Sequence, residues 1–177
     1  MPWLSIAKQA FSLILPATVL VIVPYLVEDS PGIAIDSVSI LGWAFMVAGL
    51  CVLVFTIVLF VRKGRGTLAP WSPTRTLVVA GPYRYVRNPM ITGVMTVLLG
   101  ESLTFHSAPI FVWLILFFLI NNVYFVVYEE PGLVKRFGEE YREYRRHVPR
   151  WMPRLTPWEP ASSQETEGRD DRPLFGG

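Results

Sequence analysis

The chain has 177 residues, 52% of them hydrophobic, and a formal net charge of +2. This composition is too apolar for an ordinary soluble domain, and the charge is too small to suggest a nucleic-acid partner. The only cysteine, Cys51, lies in an apolar segment, and no paired histidines occur at metal-ligand spacing. We therefore expect neither a disulfide framework nor a bound metal.

Four apolar segments approach the roughly 20 helical residues that cross a hydrocarbon core about 30 Å thick. They cover residues 5–27, 38–61, 90–105 and 108–128. Pro16 and Pro24 interrupt the first segment, but prolines are tolerated in membranes when neighbouring helices satisfy the freed carbonyl groups. Gly93 and Gly100 lie two turns apart on one face of the third, where they would let another backbone approach closely. The sequence therefore predicts an all-α, integral membrane helical bundle with four transmembrane helices.

The charges between the segments predict their orientation. The loop after the first segment has acidic residues and no basic one, whereas residues 62–87 include arginines and a lysine and no acidic residue. Cytoplasmic loops carry an excess of lysine and arginine, so the second loop should be cytoplasmic, as should the basic region after Tyr128. We expect a multi-pass protein with cytoplasmic N- and C-termini.

The residues after the fourth segment change in character. Between 132 and 147 the apolar residues recur at helical spacing, with charged residues around the rest of the helical wheel. This pattern predicts a C-terminal amphipathic interfacial helix. The polar tail, 159–177, is rich in Glu, Asp, Ser and Gly, which is typical of disorder. Residues 1–158 should thus form one membrane domain.

A polar loop leads directly into the third segment. Its end, Arg87-Asn88-Pro89, supplies a fixed cation, an amide that donates and accepts, and a proline that presets the start of a helix. That combination suits the binding of a carboxylate. Alternatively, Arg84 and Arg87 only anchor the helix to anionic lipid headgroups. Composition alone leaves both interpretations open.

A glutamate pair, Glu129-Glu130, ends the fourth segment. Adjacent carboxylates repel each other, and desolvation raises the cost of their charge, so a cation or hydroxyl group should compensate. Asn122 and Phe125 lie seven and four residues earlier, on the same helical face as Glu129. For Glu129 we favour ligand binding. For Glu130, a salt bridge to Arg142, Arg145 or a loop arginine is equally open.

No nucleophile and base can be paired from these residues, and glycine-rich nucleotide loops are absent from the sequence. What remains is chemistry that a bound cofactor performs after the protein has aligned it with an acceptor. We therefore assign no catalytic residue from the sequence.

The two clusters resemble the isoprenylcysteine carboxyl methyltransferase family and its phospholipid methyltransferase relatives, integral membrane enzymes that use S-adenosylmethionine. The resemblance covers roughly residues 74–153 and follows Gly81-Pro82-Tyr83, Arg87-Asn88-Pro89 and Glu129-Glu130 in order and spacing. Arg87 could face the methionine carboxylate of that cofactor. The resemblance implies cofactor contacts from Thr76, Leu77, Val78, Gly81, Tyr83, Arg87, Asn88, Pro89, Met90, Ile91 and Glu129. Candidates for the substrate side are Asn122, Phe125 and Glu130.

The chain departs from the family pattern at three positions. Asn88 replaces the usual histidine and keeps a hydrogen-bonding side chain, whereas Ile91 replaces the usual tyrosine and removes a hydroxyl group. Phe125 stands where prenylcysteine-specific members carry an arginine, which removes a cation that would recognise a substrate carboxylate. We therefore do not expect prenylcysteine as the substrate.

Together these features predict a membrane methyltransferase that transfers a methyl group from S-adenosylmethionine to a lipophilic acceptor arriving from the bilayer, with membrane lipids around it. Two alternatives remain. One is a non-catalytic four-span lipid-binding or scaffold protein that keeps the framework. The other is an NADPH-dependent enzyme similar to sterol reductases, whose C-terminal regions resemble the same arrangement.

Overall fold

The computed structural model describes residues 16–28, 32, 35–63 and 77–159. All regular secondary structure within these residues is helical, so the predicted all-α class is confirmed. A 3₁₀ turn, Gly81–Arg84, precedes the third helix, and a π-helical turn, Phe125–Glu129, joins the last two. The helices are α1 (Thr18–Val27), α2 (Ser37–Lys63), α3 (Pro89–Thr104), α4 (Ala108–Tyr124) and α5 (Glu130–His147).

The predicted apolar segments are helical wherever the structure describes them. By length and composition, two helical stretches could cross a membrane, namely Ser37–Leu59 and the continuous run Ala108–His147. The apolar helices α1 and α3 are shorter. Residues 5–15 of the first segment and the tail from 160 onwards lie outside the described residues.

Glycines bring α2 and α3 into close contact. A Cβ atom on Gly49 would lie 2.7 Å from the Val97 nitrogen and 2.8 Å from the Gly93 oxygen. One on Gly42 would lie 2.7 Å from the Gly100 oxygen. Only a residue without a side chain fits at these distances, so the expectation that Gly93 and Gly100 admit another backbone is confirmed, and α2 provides that backbone.

One apolar core connects the first four helices. Val94 and Leu98 of α3 are buried against Leu53 of α2 and Phe117 of α4. The α1 residue Val19 belongs to the same core, and its carbonyl oxygen accepts a hydrogen bond from the Trp113 indole at 3.2 Å. This core fixes the helix ends that carry the polar loop and the glutamate pair.

At the end of the bundle away from the polar loop, Asp36 holds the start of α2. Its Oδ1 accepts a hydrogen bond from the Ser39 backbone N–H at 2.8 Å, and its Oδ2 lies 3.1 Å from His106 Nε2. The Ser39 hydrogen bond, with a smaller contribution from His106, lowers the pKa of the Asp36 carboxyl group. The cap thereby joins α2 to the connection between α3 and α4.

Candidate functional site

The polar loop, which we define as residues 77–88, begins as extended chain and then turns sharply at Gly81. Gly81 has a φ of +54°, a conformation that L side chains rarely adopt. A Cβ atom at this position would also lie 3.0 Å from Leu59 Cδ2 and 3.4 Å from the Phe55 ring. The turn therefore packs against the second half of α2, and glycine is required there for both conformation and space.

Backbone hydrogen bonds join the polar loop to residues 148–159, which we call the post-helix segment. The Arg87 N–H donates to the Pro149 oxygen at 2.9 Å, and the Arg154 N–H donates to the Tyr85 oxygen at 3.0 Å. The Trp158 N–H donates to the Arg84 oxygen, also at 3.0 Å. The loop is thus fastened along its length by chain that follows α5.

An aromatic cluster on α5 fixes the other side of the polar loop. Tyr141, Tyr144 and Val148 are buried together, with Leu77 and other partly buried residues packed against them. The Tyr144 hydroxyl donates to the Tyr83 carbonyl oxygen at 2.6 Å. Because hydrogen bonds of this length are well formed, the tyrosine sets the position of the loop backbone as well as packing against it.

The polar loop and the glutamate pair meet through Glu130. Arg87 donates to Glu130 Oε1 at 2.7 Å, Arg150 Nη2 lies 2.7 Å from the same oxygen, and Arg145 lies 3.5 Å from Oε2. The salt-bridge interpretation of Glu130 is confirmed, with Arg87 as the loop arginine. Arg142 instead pairs with Glu139 at 3.1 Å. Arg87 is thereby held by protein, through Nη1, rather than left fully open to a ligand carboxylate.

Glu129 differs from its neighbour, because it forms no hydrogen bond or ion pair with any residue that the structure describes. Its side chain is half-buried and lies close to the polar loop. Burial, and after it the charge of Glu129, raises the pKa of the Tyr83 hydroxyl. Within the described part of the chain Glu129 is therefore an acceptor without a partner, next to the turn whose residues the family resemblance predicts to contact the cofactor.

One buried donor without a partner in the described residues lies at the end of the polar loop. The Nε atom of Arg87 is buried and has no hydrogen-bond partner in the described part of the chain. The Asn88 side chain does not cap α3, although its backbone oxygen accepts from the Thr92 N–H at 3.0 Å. Unsatisfied buried polar groups are uncommon, and a bound water, ion or other ligand is one explanation for them.

The candidates for the substrate side contact the post-helix segment. Asn122 Oδ1 accepts from Arg150 Nη1 at 3.1 Å and from the Trp151 indole at 3.2 Å. Phe125 is buried edge-on against Trp151, with ring centroids 5.7 Å apart. The sequence analysis missed Arg150 and Trp151, because an arginine and a tryptophan beyond the end of a helix look like interface anchors.

The remaining candidate cofactor contacts lie in the polar loop and in the first turn of α3. Leu77 packs on the aromatic cluster, whereas Met90 and Ile91 pack against the helix core. Pro89 is the buried first residue of α3, and Val78 is half-buried in the loop. Thr76 lies outside the described residues. Cofactor contacts from these residues stay a prediction.

Comparison with known proteins shows that the region containing the polar loop and the glutamate pair is similar to methyltransferases. Residues 67–140, which contain the polar loop and the glutamate pair, match the family model described as phospholipid methyltransferase. This part of the chain is similar to the phospholipid methyltransferase family. The resemblance inferred from the sequence is therefore confirmed, and the family consists of methyltransferases.

Two named relatives are methyltransferases. Methanethiol S-methyltransferase 2 of Bradyrhizobium diazoefficiens is 36% identical over 95 residues, which are 51% of this chain and 33% of that protein. Protein-S-isoprenylcysteine O-methyltransferase of Schizosaccharomyces pombe is 36% identical over 80 residues, 44% of this chain and 33% of that protein. The aligned region is thus about a third of either enzyme.

A third relative is matched over its whole length. This uncharacterized protein of Haemophilus influenzae is 32% identical over 63 residues, which are 36% of this chain and 100% of that protein. No solved structure matches the chain.

Proposed function

We propose that this chain is an integral membrane methyltransferase that uses S-adenosylmethionine to methylate a lipophilic small molecule. The observation that carries the proposal is the contrast within the glutamate pair. Glu130 is engaged by arginines, whereas Glu129, beside Tyr83, has no partner among the described residues, and both lie in a chain segment that matches a methyltransferase family model. Glu130 holds the loop, which leaves Glu129 for the ligand.

The unpaired groups suit the polar parts of S-adenosylmethionine. A carboxylate such as Glu129 would accept hydrogen bonds from ribose hydroxyls or from the methionine amine, and the buried Arg87 Nε and the Asn88 amide would donate. The cofactor, when bound, supplies a methyl group already activated by its sulfonium. The protein would then contribute alignment in a water-poor pocket, where orientation alone can lower a barrier by about 7–11 kcal/mol.

The membrane arrangement is part of this proposal. All four apolar helices would span the bilayer, with both termini cytoplasmic and α5 lying at the inner interface. Two of the helical stretches are long and apolar enough for this role, and the family includes membrane enzymes, which supports the proposal. The cofactor would enter from the cytoplasm and the acceptor sideways from the bilayer.

The acceptor side would lie along Asn122, Phe125 and Trp151. The two aromatic rings offer an apolar wall, and both hydrogen bonds to Asn122 Oδ1 come from the post-helix segment. Phe125 presents no charge to a carboxylate, so we propose that the acceptor is lipophilic and is not prenylcysteine.

Calorimetry on the purified full chain in neutral detergent tests the cofactor site. The wild-type protein should bind S-adenosylmethionine and its demethylated product saturably, and Glu129→Gln should weaken both by about 10- to 100-fold, because a hydrogen bond to a charged group is worth about 1.5–3 kcal/mol. Glu140→Gln is the matched control, since Glu140 is exposed on α5 and outside the site. It should leave binding unchanged.

Two results would count against the proposal. The first is no saturation by either compound at millimolar concentration, and the second is equal loss in both variants. Saturable binding of NADPH would favour the reductase-like alternative. If binding appeared only after Asn88→His and Ile91→Tyr were introduced together, the non-catalytic alternative would be favoured.

A further inference from the structure

A hollow of about 260 Å³ lies on α5, and none of the residues that line it is a candidate cofactor contact. It lies beside a break in the helix at Gly138, which has φ 56° and ψ −125°, values that no α-helical residue adopts. Residues on both sides of this break line the hollow, with one apolar side chain before it and three arginines after it. We call it the arginine hollow, and it consists of Val134, Arg142, Arg145 and Arg146.

The arginine hollow has more positive than negative charge. Arg142 and Arg146 share one carboxylate, that of Glu139, at 3.1 and 3.2 Å. Arg145 lies 3.5 Å from Glu130, whose charge is already engaged by other arginines at shorter distances. The carboxylate of Glu139 is therefore the main negative charge that neutralises the three guanidinium groups.

The guanidinium groups also keep hydrogen-bond donors for a ligand. Each of the three side chains is more than half exposed, and each is in contact with a protein carboxylate through a single nitrogen. A guanidinium carries five N–H donors in a planar fork that matches a phosphate group bidentately. Val134 adds an apolar wall to the hollow. This chemistry fits a phosphate bonded to an apolar molecule better than it fits a free ion.

The position of the hollow along the helix points to the same ligand. The exposed apolar side chains nearest to the start of α5 are those of Val126, Val127 and Tyr128. Val134 follows Tyr128 by six residues, or about 9 Å along a helix that rises 1.5 Å per residue. If the apolar run ends at the hydrocarbon boundary and α5 lies at the interface, the Val134 end of the hollow is within about 9 Å of that boundary, among the lipid headgroups.

We propose that the arginine hollow binds the phosphate of an anionic phospholipid of the inner leaflet. The hollow shares no lining residue with the candidate cofactor site, and the proposal rests on the proposed membrane location alone. Each basic residue near an anionic membrane surface contributes about 1 kcal/mol to binding, which corresponds to about fivefold in affinity. The lipid would hold α5 against the membrane at the point where its helix is broken.

Lipid binding to the purified full chain in neutral detergent tests this proposal by native mass spectrometry. The probes are short-chain phosphatidylglycerol, short-chain phosphatidylcholine and inorganic phosphate. We expect preferential binding of phosphatidylglycerol, weakened on the order of 10- to 30-fold by Arg142→Gln with Arg146→Gln. The matched control, Lys135→Gln with Arg136→Gln, removes the same charge from α5 outside the hollow and should weaken binding less than about threefold.

Three results would overturn the proposal. Equal weakening by the two double variants would show only a general effect of charge. Equal binding of phosphatidylcholine would remove the requirement for an anionic lipid, and binding of inorganic phosphate without a preference for lipid would identify a soluble anion as the ligand. The membrane location is tested separately, because a peripheral protein would be released from membranes by alkaline carbonate. None of these outcomes depends on S-adenosylmethionine.

Discussion

Glu130→Gln is the substitution from which we expect the largest loss of stability in the polar part of the molecule. The Glu130 side chain is 9% exposed, and those of its partners Arg87 and Arg150 are 11% and 20% exposed. Glutamine keeps the size of the side chain but removes the charge, so two largely buried guanidinium groups would lose their counter-ion. Removing one member of such a buried pair costs about 3–5 kcal/mol.

The third arginine contributes little to this loss. Arg145 is 51% exposed and lies 3.5 Å from Glu130, so solvent screens the interaction, and exposed pairs are worth about 0–1 kcal/mol. For a chain of this size, 1 kcal/mol shifts the unfolding midpoint by about 2–4 °C. Glu130→Gln should therefore lower the midpoint by about 6–20 °C, and Arg145→Gln by no more than about 4 °C.

Thermal unfolding in one detergent, followed by tryptophan fluorescence, measures these shifts. The matched control is Glu139→Gln, which removes a carboxylate from exposed pairs on the same helix and should change the midpoint as little as Arg145→Gln. Combining Glu130→Gln with Arg150→Gln should cost less than the sum of the single losses, because the two residues interact directly. If Glu130→Gln behaved like Glu139→Gln, or if the double variant were additive, the buried network would not be what fastens the loop.

Two further changes test the packing and the loop. Gly49→Ala would place a Cβ atom 2.7 Å from the Val97 nitrogen and should lower the free energy of unfolding by about 1–3 kcal/mol. Gly132→Ala is the control and should not lower it, because a Cβ atom at Gly132 would have nothing within 4 Å. Equal thermal-unfolding midpoints for the two variants would refute the close α2–α3 contact. Tyr83 has a raised pKa, so above about pH 10 the unfolded chain releases a proton that the folded chain retains, and stability should fall with rising pH. Tyr83→Phe should reduce that fall in unfolding measured from pH 9 to 11, and an identical slope would contradict the assigned burial.

The four apolar helices could be predicted from the sequence because each is an apolar run, and two of them also have local start signals. The predicted segment 90–105 corresponds to Pro89–Thr104, with proline at the first helical position. Likewise 108–128 begins at Ala108 after Ser107, whose side chain accepts from the Ile110 N–H at 3.2 Å. Both signals lie within a few residues of the boundary that they set.

Long-range pairing could not be predicted in the same way. Gly42 and Gly49 have the same seven-residue spacing as the glycines of α3, a signal for the α2–α3 contact that was available but was not used. No spacing in the sequence indicated Arg150 as an ion-pair partner of Glu130. Several arginines follow α4, and only the folded path of the post-helix segment selects Arg150 from among them.

The post-helix segment also determines which fragment of the chain would keep the site intact. The match to the family model ends at residue 140, yet the backbone groups that hold the polar loop belong to Pro149, Arg154 and Trp158. A fragment trimmed at the edge of that similarity would retain every residue of both motifs and lose the braces between them. Any graft of this chemistry onto another membrane protein therefore has to carry the chain through Trp158.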